Sequence, residues 1–184
     1  MGLRGGMVDF KHTRNQNFYD YWLSLPREGI LPHRRNFLPE AVPSLLPNMT
    51  IYELVSDDFI KIRLLGTSVE DRYGQNSTGS NYLDLVEYDR RPKASKALWS
   101  QAKKPCGMHT FLEQELRSGR TAYLEAVGLP VLHDQDDTPL LLFQSNEIVN
   151  SLKTPGEEKG ALKTVRVAKR SYFDLGAGVS DFCD

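Results

Sequence analysis

The hydrophobic positions near the start of the chain repeat with helical spacing. In residues 17–25, Phe18, Trp22 and Leu25 are separated by intervals of four and three residues, which places them on one face of a helix. The pattern therefore predicts an amphipathic helix with an aromatic stripe, which ends at Pro26.

Prolines dominate the segment that follows. A second, shorter helix is predicted over residues 39–46, because Pro39 suits a first helical position and Pro47 forces the chain to leave the helix. The spacing of these prolines predicts a stiff connector.

The pattern then changes to a period of two residues. Residues 49–55 and 59–65 alternate between apolar and polar side chains, and the turn residues Ser-Asp-Asp separate them. This pattern predicts an antiparallel hairpin with one buried face.

A helical excursion interrupts the strands. A weak helical pattern over residues 68–73 precedes a loop over 74–81, which is rich in Gly, Ser and Asn. A longer helix is predicted over 88–104 and is stopped by Pro105.

Three further strands are predicted after this helix. They cover residues 106–116, 120–132 and 139–149, and both connections have hairpin length. Residues 153–163 are charged and contain Pro and Gly, which predicts a linker.

The order of elements predicts an α+β fold. A hairpin, a helical excursion and a three-stranded meander together make a five-stranded antiparallel sheet with helices over one face and an N-terminal flanking helix. The expected organisation is listed in chain order: a flexible N-terminus over 1–16, a helical flank over 17–48, the core over 49–150, and a linker and tail over 151–184. Either Met1 or Met7 can be the natural start.

Composition excludes several classes of function. The chain has 184 residues, of which 40% are hydrophobic, and a net charge of −1. Such a balance offers no overall field for nucleic acid or an anionic membrane, and no apolar run is long enough to be a membrane span or signal peptide. Cys106 and Cys183 are too far apart in sequence to indicate a disulfide framework or a zinc site. We therefore expect a cytoplasmic protein.

Catalytic and metal motifs are missing from the sequence. The four histidines are widely spaced, no GxSxG motif is present, and the two Asp-Asp pairs lack EF-hand spacing. The segment FDLGAGVSD, residues 173–181, resembles the glycine-rich turn of methyltransferases, but no helix, strand or ribose-binding acid can follow it in the remaining residues. We therefore expect no catalytic residues and no metal.

One segment resembles a known family. Residues 62–85, IRLLGTSVEDRYGQNSTGSNYLDL, are similar to a pattern found in short bacterial proteins made of a single PAS domain. FYDYWLSL, LPHRRNFLPEAVPSLLPNM and, more loosely, the DLGAGV tail are also similar to this group. The resemblance implies a sheet cupped by helices and a role in sensing or signalling.

The resemblance also bears on cofactors. Haem-binding PAS domains commonly use a histidine on the long helix, and residues 88–104 contain none. Blue-light PAS domains place a reactive cysteine on an earlier helix, whereas Cys106 follows the long helix. Haem and flavin are both disfavoured, and no cofactor is predicted.

A ligand cavity is expected between the sheet and its helices. Such pockets are mostly apolar with a few orienting polar groups. Arg63 is the one charged candidate: facing inward it could hold a carboxylate, and facing outward it is an edge charge. The candidate ligand-binding residues are Tyr52, Arg63, Tyr73, Tyr82, Trp99, Met108, Tyr123 and Gln144.

The expected function is a stand-alone, non-catalytic sensory module that binds a small molecule, a signalling protein or both. Phe18 and Trp22 are the candidate partner-binding residues, through which a homodimer could form; alternatively, the same stripe packs on the back of its own sheet. A protein-interaction adaptor without a ligand is the second hypothesis, and a small-molecule enzyme is the third.

Overall fold

One antiparallel sheet organises the chain. A computed structural model describes residues 8–148 and 162–183. The spatial order of the six strands is β2-β1-β5-β4-β3-β6. Their bounds are β1 Met49–Ser56, β2 Phe59–Leu65, β3 Cys106–Leu116, β4 Thr121–Val131, β5 Leu140–Glu147 and β6 Leu162–Asp174.

In the described part of the chain, three α-helices accompany the sheet: α1 is Thr13–Ser24, α2 is Thr67–Tyr73 and α3 is Arg91–Lys103. The predicted helix over 39–46 is instead replaced by separate 3₁₀ turns at Pro39–Ala41 and Leu46–Asn48. The prolines in this segment lack the N–H donors that a continuous α-helix requires, so only short turns form. Further 3₁₀ turns are Arg34–Asn36, Tyr82–Leu85 and Tyr88–Arg90.

The α+β fold prediction is confirmed. The first hairpin, the helical excursion and the three-stranded meander all form in the predicted order, with antiparallel pairing throughout the sheet. No helix in residues 8–148 or 162–183 combines the length and apolar character needed to cross a bilayer.

The sixth strand is the main departure from the predicted five-stranded sheet. β6 lies in the segment expected to be linker and tail, and it pairs with β3 from Cys106↔Asp174 to Leu116↔Leu162. Gly107 lies opposite Phe173, and its missing side chain leaves room for the phenyl ring. This pairing joins residues far apart in sequence, which local patterns do not reveal. Most of the predicted linker, residues 153–161, lies outside the described residues.

The two faces of the sheet carry separate apolar clusters. The face covered by α2 and α3, here called the helical face, buries residues such as Tyr52, Ile62 and Met108. The opposite face, here called the α1 face, buries Phe18 and Trp22 against the strands. The sheet is therefore covered on both faces, and α1 shares its face with the connector that follows it, which contributes Phe37 and Leu45.

The aromatic stripe of α1 belongs to the core of this chain. Phe18 and Trp22 are fully buried, and the indole N–H of Trp22 donates to the carbonyl of Pro130 at 3.1 Å. The guanidinium of Arg27 lies 4.3 Å from the centre of the Trp22 ring and covers it. Neither aromatic side chain offers a surface to a partner protein. The stripe packs on the back of its own sheet, which was the alternative expectation.

The start of α1 is held by a buried carboxylate. Glu125 on β4 accepts hydrogen bonds from the backbone N–H groups of Lys11 and His12, at 2.8 and 2.7 Å, and from the side-chain amide of Asn15 at 2.8 Å. His109 Nε2 lies 2.7 Å from the same carboxylate. Helix α1 begins at Thr13, inside the segment expected to be flexible, because Glu125 binds the N–H groups that precede the helix.

The burial of Trp22 gives a first prediction. We expect Trp22→Ala to lower the free energy of unfolding by about 3–5 kcal/mol, because it leaves a large cavity under α1. The matched control is Tyr88→Ala, since Tyr88 is 85% exposed and should cost little. Urea denaturation measures both variants. A small loss for Trp22→Ala, together with a reduced oligomer mass, would instead show that the stripe lies in an intermolecular interface.

Glu125 gives a pH prediction. Burial alone would raise the pKa of Glu125, but its hydrogen bonds outweigh this effect and lower the pKa below its usual value. Its stabilising contribution is therefore complete above the unfolded pKa of about 4.3, and is lost as the pH falls through the lower folded pKa. We expect Glu125→Gln to cost about 1–3 kcal/mol at neutral pH, and this cost to shrink on acidification below about pH 4.3.

Chemical denaturation across this pH range measures the effect. Glu28→Gln is the control, because Glu28 is exposed and its substitution should change the free energy of unfolding little. A difference between wild type and Glu125→Gln that stays constant from neutral to acidic pH would contradict the role of the ionised carboxylate.

Candidate functional site

Three tyrosines meet on the helical face of the sheet. Tyr52 comes from β1, Tyr73 ends α2, and Tyr82 begins a 3₁₀ turn that follows the loop after α2. The ring centres of Tyr52 and Tyr82 are 4.8 Å apart, and Tyr52 also packs edge-on to Phe143 at 5.4 Å. We call these three residues the tyrosine cluster.

Burial makes ionisation of the tyrosine cluster still less favourable than that of an exposed tyrosine. Loss of solvation raises the pKa of Tyr52 well above its usual value, and the neighbouring Tyr73 and Tyr82 add to this effect. The pKa values of Tyr73 and Tyr82 are raised for the same main reason. The cluster therefore presents protonated hydroxyl groups within an apolar setting at neutral pH.

Large side chains occupy the space between the sheet and the helices. Phe143 extends over Gly128 of the neighbouring strand, where a side chain at position 128 would collide with the ring. Tyr73 of α2 and Leu98 of α3 pack against the same cluster as Tyr52. The centre of the expected ligand cavity is thus largely filled by core residues.

A cleft opens at the side of this face, next to β6. Its volume is about 480 Å³, within the usual range for small-molecule sites. One wall is residues 165–170 of β6, and the other comes from Tyr82, Val86 and the beginning of α3. A backbone bridge between Val86 and Val165 joins the two walls. We call this the β6 cleft.

The β6 cleft is strongly basic. Among residues 8–148 and 162–183, its lining contains five cationic residues and no acidic one: Arg90, Lys93, Arg166, Lys169 and Arg170. Outside the lining, Glu87 pairs with Arg90 at 3.2 Å and Glu113 pairs with Arg166 at 2.9 Å. This local charge contrasts with the net charge of −1 for the whole chain.

Tyr82 connects the cleft to the protein interior. It lines the β6 cleft and at the same time stacks on Tyr52 in the tyrosine cluster. Arg170 lies close enough to act electrostatically on its hydroxyl, an effect that lowers the pKa of Tyr82 against the dominant effect of burial. A molecule in the cleft would therefore contact a ring that also belongs to the core.

A second groove runs along the other side of α3. It is lined in part by Trp99, whose indole N–H donates to the carbonyl of Ser56 at 3.2 Å. Three carboxylates, Asp57, Asp58 and Asp84, share this lining with cationic side chains of α3. Its mixed charge distinguishes it from the β6 cleft.

The structure separates the eight predicted ligand residues. Tyr52, Tyr73, Tyr82 and Met108 lie together on the helical face. Trp99 packs at the edge of the same cluster and lines the second groove.

The other three candidates lie elsewhere. Arg63 faces outward: its guanidinium is 3.2 Å from Glu53, and its side chain is 44% exposed, so the edge-charge alternative describes it. Tyr123 is 42% exposed. Gln144 is fully buried on the α1 face, in register with Met49 and Val127. Strand alternation explains the separation, since neighbouring residues point to opposite faces.

Sequence reasoning missed two groups of polar residues. Arg72 is buried and donates to Asn48 Oδ1 and Ser145 Oγ, both at 3.1 Å, which ties α2 to the sheet. Burial lowers the pKa of Arg72 from its usual value. The cationic residues of β6 were missed as well, although the alternation of Val165 and Val167 with basic residues is a strand signal.

The glycine-rich tail forms a closed turn. Asp174 Oδ1 accepts hydrogen bonds from the backbone N–H groups of Gly176 and Gly178, both at 2.7 Å. Both glycines have positive φ angles, 115° and 84°, which glycine adopts without strain. The carboxylate of Asp174 thus occupies the N–H groups that a nucleotide-binding turn would offer to its ligand.

Within residues 8–148 and 162–183, no group of His, Cys, Asp and Glu is arranged to hold a metal ion. Cys106 is buried, and burial raises the pKa of its thiol, which disfavours the reactive thiolate. His109 contacts Glu125, which also holds the N–H groups ahead of α1.

Two buried glutamines, Gln144 on the α1 face and Gln101 on α3, differ in their hydrogen bonds and give a test of this difference. Neither amide atom of Gln144 has a hydrogen-bond partner in the described structure, so we expect Gln144→Leu to raise the free energy of unfolding by about 1 kcal/mol or more. Gln101 is the matched control: its Nε2 donates to the carbonyls of Cys106 and Gly128 at 3.1 and 2.7 Å. We expect Gln101→Leu to cost about 1–3 kcal/mol.

Thermal or urea unfolding of the two variants measures this contrast. A loss of stability in Gln144→Leu equal to that in Gln101→Leu would mean that the amide of Gln144 is satisfied in solution.

Comparison with solved structures finds PAS and light-oxygen-voltage (LOV) domains. The light-state LOV domain of the blue-light photoreceptor Aureochrome1 is 14% identical, with 62% of this chain and 91% of that one covered and a TM-score of 0.44. An RNA-binding light-oxygen-voltage receptor is 15% identical, with 67% of this chain and 35% of that one covered and a TM-score of 0.46. A PAS domain from Colwellia psychrerythraea is 12% identical, with 61% and 98% covered and a TM-score of 0.44.

Family comparison gives the assignment. No curated protein matches the sequence. A family model described as a PAS domain matches residues 10–143, well over half of the 184 residues, and the match runs from the segment ahead of α1 into β5. The resemblance in residues 62–85 lies inside this match. The chain therefore belongs to the PAS domain family.

Proposed function

We propose that this chain is a non-catalytic sensory module that binds a small molecule in the β6 cleft and signals through contact with a partner protein. The observation that carries the proposal is the position of Tyr82, which lines the cleft and stacks on Tyr52 in the core. Membership of the PAS domain family supports a sensory role in general.

Tyr82 offers a physical route from ligand to structure. A ligand shifts a protein toward the conformation that it binds better, by as much as its affinities for the two conformations differ. Because Tyr82 packs in the tyrosine cluster, a ligand that repositions its ring also changes the packing of Tyr52 and the hairpin that carries it. The outer surface of the β1-β2 hairpin, at one edge of the sheet, would then report the bound state to a partner.

A ligand-free adaptor is the second candidate. The filled centre of the helical face favours it, because Tyr52, Tyr73 and Phe143 leave little room for a guest between the sheet and α2. In this case the signal would depend on protein contacts alone. The two candidates differ in whether the β6 cleft is occupied in solution.

If the chain is a sensory module, we expect an organic molecule to be bound in the β6 cleft. Ala94 lines the cleft from α3, so Ala94→Leu should fill part of it while keeping a good helix former at this position. We expect native mass spectrometry of the purified protein to show a bound organic mass, and Ala94→Leu to reduce its occupancy at least about tenfold, a loss of about 1.4 kcal/mol in binding.

The matched control is Ala102→Leu, which makes the same change on α3 outside the cleft lining. Its occupancy should equal that of the wild type, and circular dichroism should show that all three proteins are folded. A mass without any bound molecule would favour the adaptor. Visible absorption of the purified protein would indicate a haem or flavin, contrary to the expectation from the sequence.

A further inference from the structure

We propose that residues 175–183 form a latch that opens without unfolding of the sheet, and that in its closed position covers Cys106 and holds α3 against β6. We call these residues the latch. The proposal goes beyond the proposed function, because it concerns a movement of the chain itself and needs no ligand in the β6 cleft. It depends on where the latch is packed, on what lies beneath it and on how weakly it is held.

The latch passes from one face of the sheet to the other. Leu175, directly after β6, is 2% exposed and belongs to the apolar cluster of the α1 face. Phe182, near the other end of the latch, packs against the cluster of the helical face. Because these two residues lie on opposite faces, the segment between them runs around the end of the sheet at which β3 begins and β6 ends.

The far end of the latch is connected to α3 through β6. The ring of Phe182 lies edge-on to that of Tyr172, with 6.4 Å between the ring centres, and the guanidinium of Arg170 lies 5.6 Å from the Phe182 ring centre. The hydroxyl of Tyr172 donates in turn to the carbonyl of Ala97 in α3, at 3.1 Å. Phe182 thus covers a side chain through which β6 holds α3.

The middle of the latch lies over a buried thiol. Cys106 is fully buried at the start of β3, and the backbone of Ser180 is hydrogen-bonded to its thiol. In the pairing of β3 with β6, Cys106 lies opposite Asp174, which directly precedes the latch. The thiol therefore reports the closed position, because movement of the latch uncovers it.

Few contacts hold the latch in place. Residues 176–183 are all half-buried or exposed, and they form no helix or strand. The hydrogen bonds of the glycine-rich turn are local, since the N–H groups of Gly176 and Gly178 both bond to the neighbouring Asp174. Segments with few buried apolar contacts and no ladder of backbone hydrogen bonds open at a much lower free energy than the core. The latch is therefore expected to open while the sheet stays folded.

Opening of the latch also affects the β6 cleft. Arg170 on β6 and Ala94 on α3 both line this cleft. Release of Phe182 removes a contact of Arg170 and uncovers the tyrosine that β6 uses to hold α3. A change in the latch therefore reaches both walls of the cleft. This consequence for ligand binding rests on the proposed function, whereas the latch itself does not.

Labelling of the Cys106 thiol measures the opening. The chain contains two cysteines, so Cys183→Ser, at an exposed position, leaves Cys106 as the one thiol. We expect the thiol reagent DTNB to label Cys106 in this variant much more slowly than it labels free cysteine. The rate should stay nearly constant at urea concentrations well below the unfolding transition. A local opening exposes little surface and depends weakly on urea, whereas global unfolding depends on urea steeply.

Two substitutions within the latch give a matched comparison. In the same Cys183→Ser background, Phe182→Ala should raise the labelling rate of Cys106 about tenfold or more, because it removes the ring that holds the far end of the latch. Val179→Ala shortens a side chain that is 41% exposed in the same segment, and it should change the rate less than about twofold. Circular dichroism and urea unfolding show whether each variant is folded under the labelling conditions.

Amide hydrogen exchange tests the connection to α3. Phe182→Ala should raise the exchange rates of α3 about threefold or more, while Val179→Ala should leave them unchanged. Helix α2 is the internal reference, because it lies on the same face but is held by the hydrogen bonds of Arg72. Its exchange rates should be the same in both variants.

Three results would overturn the proposal. Labelling of Cys106 that follows global unfolding at every urea concentration would mean that the thiol is reached only in the unfolded chain. Equal rates in Phe182→Ala and Val179→Ala would mean that the ring does not hold the latch. Faster labelling without faster exchange in α3 would mean that the latch covers the thiol but does not hold the helix. None of these measurements uses a ligand, so such a failure leaves the proposed function to the outcome of native mass spectrometry.

Discussion

The structure depends on covering both apolar faces of one antiparallel sheet. Burial of apolar surface is the main favourable term in folding, and a sheet with two apolar faces must obtain that cover from helices on both sides. Here α1 covers one face with Phe18 and Trp22, while α2 and α3 cover the other. Because Trp22 is needed for this purpose within one chain, the N-terminal helix is part of the domain and not an arm extended toward a partner.

Polar contacts place the covering helices. Glu125 holds the backbone ahead of α1, and Arg72 joins α2 to Asn48 and Ser145. Buried polar groups of this kind require specific partners, because a donor or carboxylate without one would pay the full cost of desolvation. The apolar clusters therefore provide most of the stability, and these contacts specify where each helix lies on the sheet.

The edge of the sheet gives the chain its most distinctive surface. β6 completes the sheet beside β3 and carries valines and cations along the same strand. Val165 forms a backbone bridge with Val86, in the segment before α3. The cationic side chains line the cleft between β6 and this segment. Apolar and cationic groups together line a space of about 480 Å³. Tyr82, shared between this cleft and the core, relates the binding surface to the packing of the domain.

The sequence by itself determined the elements with strong local periodicity. The hairpin of β1 and β2, the excursion through α2 and α3 and the meander of β3 to β5 were all predictable, because alternation and helical spacing are local properties. The resemblance in residues 62–85 indicated the family for the same reason. Four of the eight proposed ligand residues meet on the helical face, two from strands and two from the helical excursion between them. Only the tertiary structure decided the pairing of β6 with β3, the burial of Trp22 and the meeting of Lys93 with Lys169 around one cleft. These are contacts between distant segments, and their free energy depends on which surfaces remain uncovered once the rest of the chain has folded.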